Sequence, residues 1–83
     1  MGFTRNHHRK EVRHMVKRPV IIQDGDKIVM ELAVLWDHRV PWMCEFAIKL
    51  HERHYLMISR NKFDAIIRKA EEAGLLVFDY TQF

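Results

Sequence analysis

Apolar positions alternate along the middle of the chain and switch to a helical period near its end. Val20-Ile21-Ile22 and Lys27-Ile28-Val29 flank Asp24-Gly25, a dipeptide suited to tight turns where the backbone needs positive φ. This predicts a β-hairpin. Its second strand runs on, with Ile28, Met30, Leu32, Val34 and Trp36 on one face and Val29, Glu31, Ala33 and Leu35 on the other. Both faces are then partly covered. The segment Asp37-His38-Arg39-Val40-Pro41 breaks the pattern, and alternation resumes at Trp42. Trp42, Cys44, Phe46, Ile48 and Leu50 share one face, against Met43, Glu45, Ala47, Lys49 and His51. A strand is preferred here to a helical stripe of Trp42, Met43, Phe46, Ala47 and Leu50, because only the strand puts Ile48 inside. His51-Glu52-Arg53-His54 reads as a polar turn and Tyr55-Leu56-Met57-Ile58 as the next strand.

The period changes after Ser59. Phe63, Ile66, Ile67 and Ala70 give the i, i+3, i+4, i+7 stripe of a core-facing helix. Ser59 or Asn61 begins it, Asp64 and Arg68 are spaced as an i,i+4 ion pair, and Gly74 stands where a left-handed cap is wanted. Leu75 to Tyr80 reads as a last strand. The expected fold class is α+β: a small antiparallel sheet in β-β-β-β-α-β order, mostly a meander, with one helix packed on it. The run from Ile58 through Gly74 to Leu76 resembles the recognition helix and wing start of winged-helix DNA-binding proteins, over less than a quarter of the chain. That family has two helices upstream, where this sequence has Asp24-Gly25 and two alternating runs. A winged helix, with residues 28–37 and 42–53 helical, is therefore the alternative architecture.

Ahead of Pro19 the pattern is different. Arg5, Arg9, Lys10, Arg13, Lys17 and Arg18 face a single acid, Glu11, for a net +5, so the remainder carries −2 within a whole-chain +3. Such asymmetry marks a polyanion-seeking arm. Val12, Met15 and Val16 fall at helical spacing, and Arg5, Arg9, Arg13 and Lys17 recur every four residues. Residues 1–18 are thus read as a basic arm able to become helical on binding, with Thr4 as a cap and the helix ending by Lys17 or Arg18 ahead of the proline. Residues 19–83 form one α+β domain. The arm holds few apolar residues, so the body is expected to fold without it.

Length and chemistry narrow the function. The 83 residues, 48% of them apolar, suffice for one small core. The lone Cys44 excludes an internal disulfide and favours a reducing compartment. No run approaches a membrane span and the N-terminus lacks a signal-peptide core, so a cytoplasmic protein is expected. The six histidines invite a metal, yet His51 and His54 form only one pair on a polar turn, and a structural zinc site needs four converging ligands. Cys44 is expected inside the core, away from them. The reading is surface histidines, a buried thiol, no metal site and no cofactor. His7-His8 has only Glu11 nearby, short of a nuclease. The glycines Gly2, Gly25 and Gly74 stand alone and make no phosphate loop. No catalytic residues are assigned. Alternation places Trp36, Trp42 and Phe46 inward, leaving Tyr55, Tyr80 and Phe83 as the partly exposed aromatics.

These observations suggest a small, non-catalytic nucleic-acid-binding or regulatory protein. Its arm cations Arg5, Arg9, Lys10, Arg13, Lys17 and Arg18 would bind phosphates. The alternative is a small accessory or viral protein that modulates a protein partner through an exposed sheet edge or aromatic patch. A basic arm also suits an acidic protein partner.

Overall fold

The structure, a computed structural model, describes the backbone of residues 9–11 and all of residues 15–81. The elements are β1 (Arg9–Glu11), β2 (Met15–Asp24), β3 (Lys27–Asp37), β4 (Glu45–His51), β5 (His54–Ile58), α1 (Arg60–Glu72) and β6 (Leu76–Asp79). All pairings are antiparallel, in the order β1-β5-β4-β3-β2-β6. The expected α+β fold is present: β2 to β5 meander, and after α1 the chain returns as β6 beside β2. Residues 28–37 and 45–51 are strands, so the winged-helix alternative fails.

The β2–β3 turn falls one residue later than the Asp24-Gly25 dipeptide. Asp24 pairs with Lys27, leaving Gly25-Asp26 as a two-residue loop with Gly25 at φ 64, the conformation that hairpin turns require. At α1, the Ser59 hydroxyl accepts from the Lys62 amide at 3.1 Å, an N-cap that satisfies one orphan donor. At its other end the Gly74 amide donates to Glu71 and the Leu75 amide to Ala70, with Gly74 at φ 81. This double bond pattern is a Schellman cap. Asp64 faces Arg60, with 3.7 Å between Nε and Oδ2, rather than Arg68 as expected.

Both faces of the sheet are covered. Under α1, Val20, Ile22, Leu32, Phe63 and Ala70 form one buried cluster, and Phe46, Ile48, Ile58, Ile66 and Ile67 pack against it. Phe46 and Phe63 meet at 5.0 Å between ring centroids, in the range of favourable tilted aromatic pairs. On the opposite face, Ala33, Leu35, Ala47 and Tyr55 form a second cluster, joined by Met15 and Met57. Tyr55, expected to be partly exposed, is therefore core. Burial pushes its hydroxyl pKa up, and the Glu31 carboxylate adds to the rise.

Covering that second face requires a curled sheet. β1 and β2 are four places apart in strand order, yet three residues separate Glu11 from Met15. Four strand spacings make about 19 Å in a flat sheet, whereas four Cα steps reach at most about 15 Å. The sheet must coil back on itself. Met15 of β2 and Met57 of β5, three strands apart in order, accordingly meet one cluster.

The arm was drawn too long. Met15 to Arg18 belong to β2, not to a helix, and Pro19 lies within that strand opposite Ala33. Pro19 is tolerated because its carbonyl accepts from Tyr80 on the β6 side. In an antiparallel strand a residue's N–H and C=O face the same neighbour, so its missing N–H is lost beyond the end of β6 and not from the β2–β3 ladder. Residues 9–11 are a strand as well. Arg5 and the proposed Thr4 cap lie outside the described residues.

Candidate binding surface

The second departure from expectation is the β3–β4 connection. Residues 42–44 are not strand: β4 starts at Glu45, and Cys44 is exposed. The cause is local. The Asp37 backbone carbonyl accepts from the Val40 amide at 2.8 Å, and that of Val40 from the Met43 amide at 3.0 Å. The Asp37 carboxylate takes the Arg39 amide at 2.9 Å and its guanidinium through Nε at 3.1 Å and Nη2 at 2.8 Å. These bonds close two successive turns and use the backbone groups that a strand would need. They also hold the Asp37 carboxyl well below the usual carboxylate range, with the Arg39 side-chain bond the largest cause.

The clamped loop carries apolar side chains outward. Trp42 is 75% exposed and Met43 64%, against an expectation that Trp42 points inward. Beneath the loop is a cleft of about 220 Å³ lined by Val34, Trp36, Pro41, Cys44 and Thr81. Thr81 reaches it because the segment after β6 runs on along β2, as the Tyr80–Pro19 bond shows. On β6 itself, Val77 packs toward the helix, so Leu76, Phe78 and Tyr80 alternate to the other side. They are 49%, 40% and 53% exposed. A second groove, lined by Ile22, Val29, Met30, Ile66, Lys69, Ala70 and Leu75, opens between α1 and the β2–β3 hairpin. It is the aliphatic mouth of the main core.

Of the six arm cations, Arg9, Lys10, Lys17 and Arg18 stand in strands rather than in a helix. Arg5 and Arg13 lie outside the described residues. Arg9 and Lys10 stand in β1 opposite Leu56 and Tyr55. Lys17 is exposed opposite Leu35, and Arg18 is half-buried opposite Val34. Successive strand residues point to opposite faces, so Lys17 and Arg18 are split. Among the described arm cations, Arg18 is the one opposite a cleft residue, Val34. The loop's role was hidden in the sequence because alternation through Trp42 and Cys44 imitated a strand; Asp37 with Arg39 two residues on was the signal available.

Chemically, the cleft offers an apolar seat with one hydroxyl and one thiol. Among the described residues no three His, Cys, Asp or Glu side chains gather as a metal site, and no helix is long and apolar enough to cross a membrane. Comparison with protein-family models, curated proteins and solved structures gives no match.

Proposed function

We propose that this chain is a small, non-catalytic binding module that engages another protein through the β3–β4 loop. One observation carries the reading: Trp42 and Met43 are held out in solvent by a loop fastened at Asp37 and Arg39, beside an apolar cleft. An exposed tryptophan next to a pocket has the make-up of an interface anchor, since aromatic side chains dominate binding energy at protein contacts. The cytoplasm suits such a module with an exposed, unpaired thiol.

The test is affinity capture from the native host with wild type and with Trp42→Ala/Met43→Ala, both shown to be folded. A defined partner retained by wild type and lost by the double variant supports the reading. Equal retention by both sinks it.

Charge favours a second reading, in which the basic N-terminal segment binds nucleic acid. Its six cations set the limit: at ~0.9 per neutralised phosphate, log K against log salt could slope by about −5 on duplex DNA. With Lys17 and Arg18 on opposite faces fewer engage at once, and roughly −3 is expected. Arg9→Ala/Arg13→Ala should reduce the slope by up to ~2 on every sequence alike. Salt-insensitive or absent binding to DNA, RNA and heparin removes this reading and leaves the first.

A further inference from the structure

The groove between α1 and the β2–β3 hairpin is shaped by two local features. Its floor is Ile22 and Ala70, both buried, and its walls are Met30, Ile66 and Leu75, each half-buried. On the helix side, the Leu75 amide donates to the Ala70 carbonyl at 3.0 Å, so the cap folds Leu75 back beside α1. On the hairpin side, Ile22 pairs with Met30 but Gln23 pairs with Ile28, which leaves Val29 as an extra residue in β3. Such a bulge re-aims side chains that strict alternation would separate, and Val29 lines the groove together with its neighbour Met30. Lys69, exposed at the rim, is the only charged residue among those that line it. Among the described residues its ammonium group has no ion-pair partner.

We propose that this groove binds a linear aliphatic carboxylate, a medium-chain fatty acid, with its chain laid over Ile22 and Ala70 and its carboxylate at Lys69. Shape, size and charge select that ligand. The lining is aliphatic, with no ring on which a planar aromatic ligand could stack, and the unbranched Met30 adapts to a flexible chain. The volume is about 320 Å³, within the range of small-ligand sites. Taking a methylene as about the size of a water, ~30 Å³, the groove holds a chain of roughly ten carbons. One cation at the rim matches one anionic head. No carboxylate or amide stands among the lining residues to receive a cationic head instead. The groove shares no residue with the cleft beside Trp42, so it stands independently of the proposed protein contact.

Titration of the full chain with sodium decanoate, kept below micelle formation and followed by methyl resonances, tests the site. Wild type should bind one equivalent saturably and shift the methyl signals of Ile22, Met30, Ile66 and Leu75. Its thermal stability should rise with decanoate, since a ligand of the folded state stabilises it. From hexanoate through octanoate to decanoate, each two-carbon step should tighten binding by roughly 4-fold or more, because one fully buried methylene approaches that factor alone. Dodecanoate should gain little further, its end lying beyond the groove. Lys69→Met should weaken decanoate binding by about 2- to 5-fold, the range of an exposed ion pair. Lys69→Glu should reverse the preference, so that decylamine binds more tightly than decanoate. Lys69 is exposed, and circular dichroism checks that both variants keep the fold. Trp42→Ala/Met43→Ala should bind decanoate like wild type, whatever becomes of the protein partner. The proposal is overturned if decanoate leaves the groove methyls unmoved up to its micellar limit, or if binding appears only above that limit or on phospholipid vesicles. It is overturned equally if decylamine binds wild type as tightly as decanoate does, or if the shifts fall at Trp36 and Cys44 instead of the groove.

Discussion

The face of the sheet under α1 and the loop between β3 and β4 use similar residues to opposite ends. Under the helix, Leu32, Ile22 and Val20 are wholly enclosed, and the aromatic rings of Phe46 and Phe63 close on each other. In the loop, a tryptophan and a methionine are held in water by a polar clamp. Burying a side chain of that size is worth roughly 1.5–3 kcal/mol, and at Trp42 the fold forgoes it. The chain thus holds in reserve apolar surface that a partner can cover. The helix face buries its apolar side chains in the fold, whereas the loop leaves Trp42 and Met43 in water.

The largest expected effect lies on the helix side. Leu32→Ala empties a fully buried position between β2, β4 and α1 and should cost ~2–5 kcal/mol in denaturant unfolding. A loss under ~1 kcal/mol would mean that the site collapses around the gap, and that the contrast between the two regions is weaker than the burial suggests.

Next comes removal of residues 1–17. By composition this segment is a dispensable tail, but it includes all of β1 and the first three residues of β2, with Met15 packed on the second core cluster. Truncation should uncover Leu35, Ala47 and Tyr55 and lower the thermal midpoint by more than the ~4–8 °C that 1 kcal/mol represents at this size. An unchanged midpoint would restore the arm to a pure appendage.

That reversal shows what was legible in the sequence. The hairpin at Gly25, the helix from Ser59 to Gly74 and the strand after it were readable because their determinants are local: a turn dipeptide, a cap, a periodic stripe. Residues 9–11 and 15–18 were not. Their strand partners are remote, Arg9 opposite Leu56 and Met15 opposite Asp37, and the basic row at four-residue spacing gave a helical pattern that tertiary pairing overrode. Tyr55 was misplaced for a related reason, because its burial depends on how the sheet curls. At the candidate surface, Trp42 was readable as apolar, but not that Asp37 would hold it outside.

Trp42→Ala should sit near the bottom of the stability scale, within ~0.5 kcal/mol of wild type, as expected of a surface change away from structural contacts. Paired with Leu32→Ala it makes the comparison quantitative: one variant weakens the fold and retains the anchor residue, the other keeps the fold and loses that residue. If Trp42→Ala destabilises by 2 kcal/mol or more, the indole belongs to the core and the proposed contact loses its centre.

The smallest effect concerns the clamp itself. Asp37 is bonded to Arg39 through both side chain and backbone, and its carboxyl is held well below the usual carboxylate range. A carboxylate with a depressed folded-state pKa contributes stability that is fully present above its unfolded value, about 3.9. That contribution is lost as pH falls through the lower, folded value. The loop should therefore be indifferent to pH between about 7 and 4 and loosen only in stronger acid. The pair is exposed, where such bonds contribute little to global stability, so the midpoint is a poor readout. Amide exchange is the better one, since Val40 and Met43 donate the two hydrogen bonds that define the turns. Asp37→Asn removes the charge that the guanidinium pairs with while keeping one acceptor oxygen. It should speed exchange at Val40 and Met43 at neutral pH and leave the amides of Val20 and Leu32 as slow as in wild type. Unchanged exchange at Val40 and Met43 would mean that the backbone turns hold Trp42 outward unaided, and the clamp would then play no part in presenting it.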